Sequence, residues 1–279
     1  MSGIKRLTDR PALLRNRSRA RTEALFLHRE AADEIAERLD EVNKTFTSPV
    51  LVGHVTQAMV QKFPKAVTIS DDERLSLEPA KHDLVVHALG LHWADDPIGQ
   101  MVQSRLALVP DGLFIGVMFG GDTLNELRTA LAEAEVKLTG GLSPRVVPMA
   151  DMRDLGGLLQ RAGFALPVAD SRKITVRYPS MTALIQDLRG MGETNALIDR
   201  RKTVPQRALF AETETVYAKH FADAEGYLQA TFELVYLTGW SPSENQQKPL
   251  QPGSAQARFA EALGVEEKPS GDQVTPPKR

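Results

Sequence analysis

The chain has 279 residues, 34 Lys and Arg against 36 Asp and Glu, a net charge of −2 and no cysteine. Near neutrality excludes a protein whose whole surface grips nucleic acid, and the missing thiols exclude a disulfide scaffold, a thiolate zinc or iron–sulfur site and a cysteine nucleophile. No run reaches the roughly 18–20 apolar residues that span a bilayer, and Arg and Asp interrupt the first apolar residues where a signal peptide needs an unbroken stretch, so the composition predicts a cytoplasmic protein of α/β size.

The N-terminal segment is basic, with the run Arg15-Asn16-Arg17-Ser18-Arg19-Ala20-Arg21. The run suits a phosphate-binding arm or a transit peptide, but Leu25, Phe26, Leu27, Ile35, Leu39 and Val42 recur at helical spacing, so 11–43 reads as one long helix or two in succession packing on a core. Strands are predicted at 49–53 and 66–69, around a short helix at 55–63, with the acidic turn Ser70-Asp71-Asp72-Glu73 closing the second. Asp83–Leu89 is a buried strand, a helix covers 97–108, and Pro110-Asp111-Gly112 turns the chain into a further buried strand at 113–119. A helix follows over 123–138 with Asp122 or Thr123 as its N-cap. Beyond the loop marked by Gly140-Gly141, Pro144 and Pro148 come a helix at 151–162 ending at Gly163, strands at 172–178 and 228–238, and helices at 180–190 and 206–222 between them. From Ser241 onward Pro, Gln, Ser and Gly dominate, with a short helix expected at 255–263 and disorder from 265. Alternating strands and helices over 49–138 predict a parallel sheet with crossover helices.

Several motifs succeed one another in order: Asp83-Leu84-Val85-Val86, Leu91-His92-Trp93, Pro110-Asp111-Gly112-Leu113-Phe114, Phe119-Gly120-Gly121-Asp122-Thr123-Leu124, Gly140-Gly141-Leu142-Ser143-Pro144-Arg145, Leu158-Leu159-Gln160-Arg161-Ala162-Gly163-Phe164, Asp187-Leu188-Arg189-Gly190-Met191-Gly192 and Gly239-Trp240-Ser241-Pro242. Together they resemble class I S-adenosylmethionine-dependent methyltransferases, in the branch of the biotin-synthesis carrier-protein methyltransferases and the respiratory complex I assembly methyltransferase-like proteins. The resemblance implies a Rossmann-like sheet closed by an antiparallel strand near the C-terminus, with S-adenosylmethionine at the carboxyl ends of the strands. It divides the chain into an N-terminal helical segment (1–45), a methyltransferase-like domain (46–240) with a helical lid at 180–222, and a Pro/Gln-rich tail (241–279).

The cofactor loop departs from that family. An acid followed by Gly-x-Gly is expected after the first strand, where glycine lets the backbone approach the cofactor; the stretch here is Val50-Leu51-Val52-Gly53-His54-Val55. The separation of Leu51 from Asp83 is also too short for two strand–helix units, so one unit is expected to be missing. The cofactor contacts implied by the resemblance are Val52, Gly53, His54, Asp71, Asp72, Glu73, His87, His92 and Trp93, with Asp71–Glu73 either flanking adenine or drawn into the ribose role. Plain structural readings stand beside these: a solvated turn at 71–73, a strand end at Gly53 and a core-edge Trp93.

His82, His87 and His92 recur every five residues, but strand alternation separates them and no helical His pair supports them, so no metal is assigned. Arg145, Arg153 and Arg189 are candidates for holding an acidic substrate or partner, and ion pairing is the alternative. Gly120-Gly121 lacks the lysine and glycine spacing of a phosphate loop, and no serine stands in a nucleophile elbow. Three functions are compatible: an S-adenosylmethionine-dependent methyltransferase of the complex I assembly type with a protein acceptor or respiratory-complex subunit as partner; a protein arginine hydroxylase on the same fold; and a non-catalytic assembly or chaperone protein that has lost the cofactor.

Overall fold

The computed structural model describes residues 6–244 and 246. Six strands form one sheet: β1 (Pro49–Gly53), β2 (Val67–Ile69), β3 (His82–Ala88), β4 (Leu108–Phe119), β5 (Ala165–Tyr178) and β6 (Leu228–Trp240), in the order β2-β1-β3-β4-β6-β5. β1 to β4 are mutually parallel, and β6 runs antiparallel to both β4 and β5. This is the Rossmann-like methyltransferase arrangement with its antiparallel closing strand. Strand alternation sorts the side chains into two cores. Leu51, Leu84, Val86, Ile115, Val117 and Phe232 face one side. Val50, Val52, Val85, Phe114, Met118 and Val235 face the other.

Among the described residues eight α-helices accompany the sheet: α1 (Arg10–Arg17), α2 (Phe26–Glu41), α3 (Gln57–Lys62), α4 (Pro97–Ala107), α5 (Asn125–Thr139), α6 (Met152–Arg161), α7 (Met181–Met191) and α8 (Arg207–Phe221). Residues of α2, α5, α7 and α8 enter the first core, and those of α4 and α6 the second. Only one strand and one helix lie between β1 and β3; β2 pairs directly with β1 and the chain returns over 70–81 without a helix. One strand–helix unit thus stands between β1 and β3, as the short separation of Leu51 from Asp83 predicts.

Three local expectations change. α5 starts without a side-chain cap, because Leu124 takes a left-handed φ of 54° while Thr123 Oγ1 donates to Glu233 O and Asp122 pairs with Lys173. β5 begins at Ala165 rather than 172; it is an edge strand, so Pro167 removes no ladder partner on its open side, and the register shifts between Ala165 and Val168. Pro110-Asp111-Gly112 lies within β4 as a bulge, residues 109–112 standing opposite Asp83 with Asp111 at φ 61°. The helix expected at 255–263 and the tail beyond it lie outside the described residues.

The N-terminal segment breaks into α1, a 3-10 turn at Thr22–Ala24 and α2. Asp9 caps α1 by accepting from Ala12 N, with Pro11 in its first turn. Leu13 and Ala12 bury against Trp93, Ala196 and Leu197, which carries the basic run to the carboxyl end of the sheet. Among the described residues no helix is long and apolar enough to cross a membrane.

Candidate functional site

β1 ends at Gly53, whose φ of +109° and backbone both require glycine: a Cβ there would lie 2.5 Å from Ala88 O. The same carbonyl accepts from His54 N at 3.0 Å, so the loop after β1 is closed down onto the end of β3. Across β1, the chain leaving β2 brings Asp71 to this end of the sheet, 3% exposed. Its carboxylate is already engaged. Arg17 donates from Nη1 to both Asp71 oxygens at 3.1 and 2.9 Å and from Nη2 to Leu89 O. Arg10 adds a bond to Asp71 Oδ1 at 3.0 Å and one to Asp72. Burial would raise the Asp71 pKa, but the two guanidinium groups outweigh it and hold the carboxyl well below the usual range.

Beside this ion pair lies a cluster drawn from four segments. α7 ends with Gly192 at φ +81°, and Glu193 N donates to Leu188 O, a helix stop that aims Glu193 back into the protein. Glu193 Oε2 accepts from Trp93 Nε1 at 2.7 Å and meets His92 Nε2 at 3.2 Å, both from the 3-10 turn Leu91–Trp93 that follows β3. Glu193 Oε1 faces His54 Nδ1 at 3.9 Å, and His54 Nδ1 lies 3.1 Å from Nε2 of His28, which α2 delivers fully buried. Burial and the neighbouring His54 push the His28 pKa down to about 3. Burial works to raise the Glu193 pKa, and the facing His54 and His92 rings bring it well below normal. The cluster thus holds one buried anion beside a neutral imidazole.

Glu193 and Trp93 also line a cavity of about 230 Å³ walled by Phe119, Leu127, Met181, Leu188 and Phe232. Among the described residues that line it, Glu193 is the only acid. A neighbouring groove of about 770 Å³ shares Arg145, Arg189, Thr194 and Asn195 with the cavity and adds Arg19, Arg21, Arg200 and Arg201, with no acid on its walls.

The residues singled out from the sequence scatter accordingly. Gly53, His54, Asp71, His92 and Trp93 gather at the carboxyl ends of β1 to β3. Val52 packs in the second core, and His87 is fully buried against Gln100 at 2.8 Å. Asp72 and Glu73 are exposed, the first held by Arg10. Arg145 pairs with the buried Glu135, which Ser143 also bonds, so it fixes its own loop. Arg189 lines cavity and groove, whereas Arg153 is exposed on α6, whose buried residues pack on the opposite sheet face. Sequence reasoning passed over Arg17 and His28; each sits in a pattern that reads as an ordinary amphipathic helix.

S-adenosylmethionine, implied by the resemblance, does not fit these residues. A ribose diol would have to displace Arg17 and Arg10 from a buried carboxylate, and removing one partner of such a pair costs several kcal/mol. The loop that should cradle the methionine part has His54 turned inward onto His28 and its backbone tied to Ala88.

No family model matches the chain. It is 33% identical over 262 residues to the mitochondrial arginine-hydroxylase NDUFAF5 of Danio rerio, a match covering 85% of this chain and 81% of that protein. The malonyl-[acyl-carrier protein] O-methyltransferase of Xylella fastidiosa is 34% identical over 180 residues, covering 64% of this chain and 59% of its own length. Among solved structures the YcgJ protein of Bacillus subtilis superposes with a TM-score of 0.48 at 9% identity, over 77% of this chain and 99% of that one.

Proposed function

Because the chain belongs to the methyltransferase-like family of the arginine-hydroxylase NDUFAF5, we propose that it serves respiratory complex I assembly as a cytoplasmic protein, seating an arginine side chain of a partner subunit in the Trp93–Glu193 cavity without S-adenosylmethionine. The observation that carries this reading is Glu193, a buried carboxylate and the one acid among the described residues of a mainly apolar cavity wall, which Arg145 and Arg189 join on the groove side. Arginine matches such a site: its aliphatic stem lies along Phe119, Leu127 and Leu188, and its guanidinium meets the anion. A carboxylate offers about four acceptor positions, and His92 and Trp93 occupy only Oε2.

The arginine-lined groove at the same end adds a preference for acidic residues flanking that arginine in the partner. The methyltransferase relatives make S-adenosylmethionine the cofactor of the wider family. The engaged Asp71 and the closed Gly53 loop argue for its loss here.

The test is titration calorimetry with short peptides carrying one arginine between acidic residues. The full chain should bind them, and exchanging the central arginine for glutamine should weaken binding at least about 30-fold, the scale of a desolvated charge pair. Glu193→Gln should lose the same discrimination while its thermal melt stays cooperative. Equal affinity for the arginine and glutamine peptides would refute the assignment. Capture of complex I subunits from the native host by the wild-type chain, and their loss with Glu193→Gln, would link the cavity to assembly.

A further inference from the structure

Two imidazoles and a carboxylate converge at the edge of the cavity in a way the arginine site does not require. His28, His54 and Glu193 each present one donor atom, and the three atoms lie within 4.8 Å of one another. We propose that these residues bind a divalent first-row transition-metal ion of the ferrous iron or zinc class.

Four features of the site support this assignment. The first is spacing. Ligands about 2.0–2.2 Å from an ion sit about 3–3.5 Å apart; His28 Nε2 and His54 Nδ1 are 3.1 Å apart, and His54 Nδ1 and Glu193 Oε1 are 3.9 Å apart. All three separations lie within 4.8 Å, so Glu193 Oε1 would move toward the two rings on binding an ion. The second is burial: His28 is 1% exposed and the His54 and Glu193 side chains 12% and 6%, so little water competes with an ion between them.

The third is orientation by neighbours. Metal-binding carboxylates are themselves held by hydrogen bonds. Trp93 Nε1 and His92 Nε2 fix Glu193 Oε2, leaving Oε1 turned to the histidines. The fourth is an unmet need: among the described residues, the buried Glu193 Oε1 has no hydrogen-bond partner. An orphaned anionic oxygen is costly in a buried site, and a cation between it and the two rings would satisfy it.

Two histidines and one carboxylate form the donor set of mononuclear non-haem iron sites and also suit zinc. Glu193 belongs to the cavity wall as well, so the ion would sit next to whatever the cavity holds. The metal assignment shares Glu193 with the arginine assignment and is told apart from it by His28 and His54, which do not line the cavity.

The test uses tag-free, chelator-treated full-length protein titrated with Zn(II) by calorimetry and with Co(II) by visible absorption. One equivalent should bind with micromolar or tighter affinity, and Co(II) should show the d–d bands of a site with nitrogen and oxygen ligands. His54→Ala and Glu193→Gln should each weaken binding at least 30-fold. His220→Gln, at a surface His–Glu contact on α8, should leave it unchanged. His28→Gln provides a second buried variant, with a cooperative melt confirming its fold. No binding, or binding that survives His54→Ala and falls with His220→Gln, would overturn the proposal.

Discussion

Replacing Arg17 with alanine should destabilise the protein by about 3 kcal/mol, the low end of the cost of breaking a buried ion pair. Arg17 is 8% exposed and Asp71 3%. The substitution strips two charge-assisted bonds from Asp71 and one from Leu89 O. Arg10 remains on Asp71 Oδ1 and moderates the loss. The double variant Arg17→Met with Asp71→Leu should cost less than the sum of the single changes, because neither member of that pair is then stranded and Arg10 keeps Asp72. Urea unfolding of the wild type, Arg17→Ala, Arg17→Met, Asp71→Leu and the double variant measures both quantities; a loss below about 0.5 kcal/mol for Arg17→Ala would show that the pair does not hold α1 to the sheet.

Stability should fall as pH drops from about 6.5, before ordinary carboxylates titrate. His87 is fully buried, and burial first of all depresses its pKa to about 4, against the opposing pull of Asp71 and Gln100. A base with a depressed folded pKa is neutral in the native state while the unfolded chain takes up the proton. The unfolded state therefore gains protons first, and stability declines with falling pH until the folded group also protonates. His87 contributes a slope of about 1.4 kcal/mol per pH unit and about 3 kcal/mol between pH 6.5 and 4, and His28, whose pKa burial pushes down to about 3, adds a similar share. Asp71 and Glu135 have depressed pKa values in the fold, so their share is complete above the normal carboxylate range and is lost below about pH 4. His87→Gln should remove about half of the slope of the upper limb, His28 supplying the rest, and leave the lower limb in place. A wild-type stability independent of pH between 6.5 and 4.5 would contradict the buried neutral imidazole.

The central strands were legible because local pattern and burial agree: Leu84 and Val86 alternate with Val85, and Leu113, Ile115 and Val117 with Phe114. The missing strand–helix unit could be counted directly from the distance between Leu51 and Asp83. What escaped is set by contacts between remote segments. Arg17 belongs to a run of four arginines that looks solvated, and only the docking of α1 through Leu13 turns one of them onto Asp71. His28, His54 and Glu193 come from α2, the β1 loop and the end of α7, so no spacing rule joins them. The five-residue recurrence of His82, His87 and His92 drew attention instead. The structure parts them: His82 bonds Ser48 O, His87 meets Gln100, and His92 meets Glu193. The β5 extension escaped because Pro167 reads as a strand break unless the strand is known to lie at an edge.

The methyltransferase-like sheet is retained, but its cofactor end is occupied by the protein's own Arg17, His54 and His28. Titration calorimetry of the full chain with S-adenosylmethionine and S-adenosylhomocysteine tests this most directly. No heat of binding is expected with either ligand up to millimolar concentration. Saturable one-to-one binding in the micromolar range, weakened by Asp71→Asn, would contradict it and return Asp71 to the ribose of a working cofactor site.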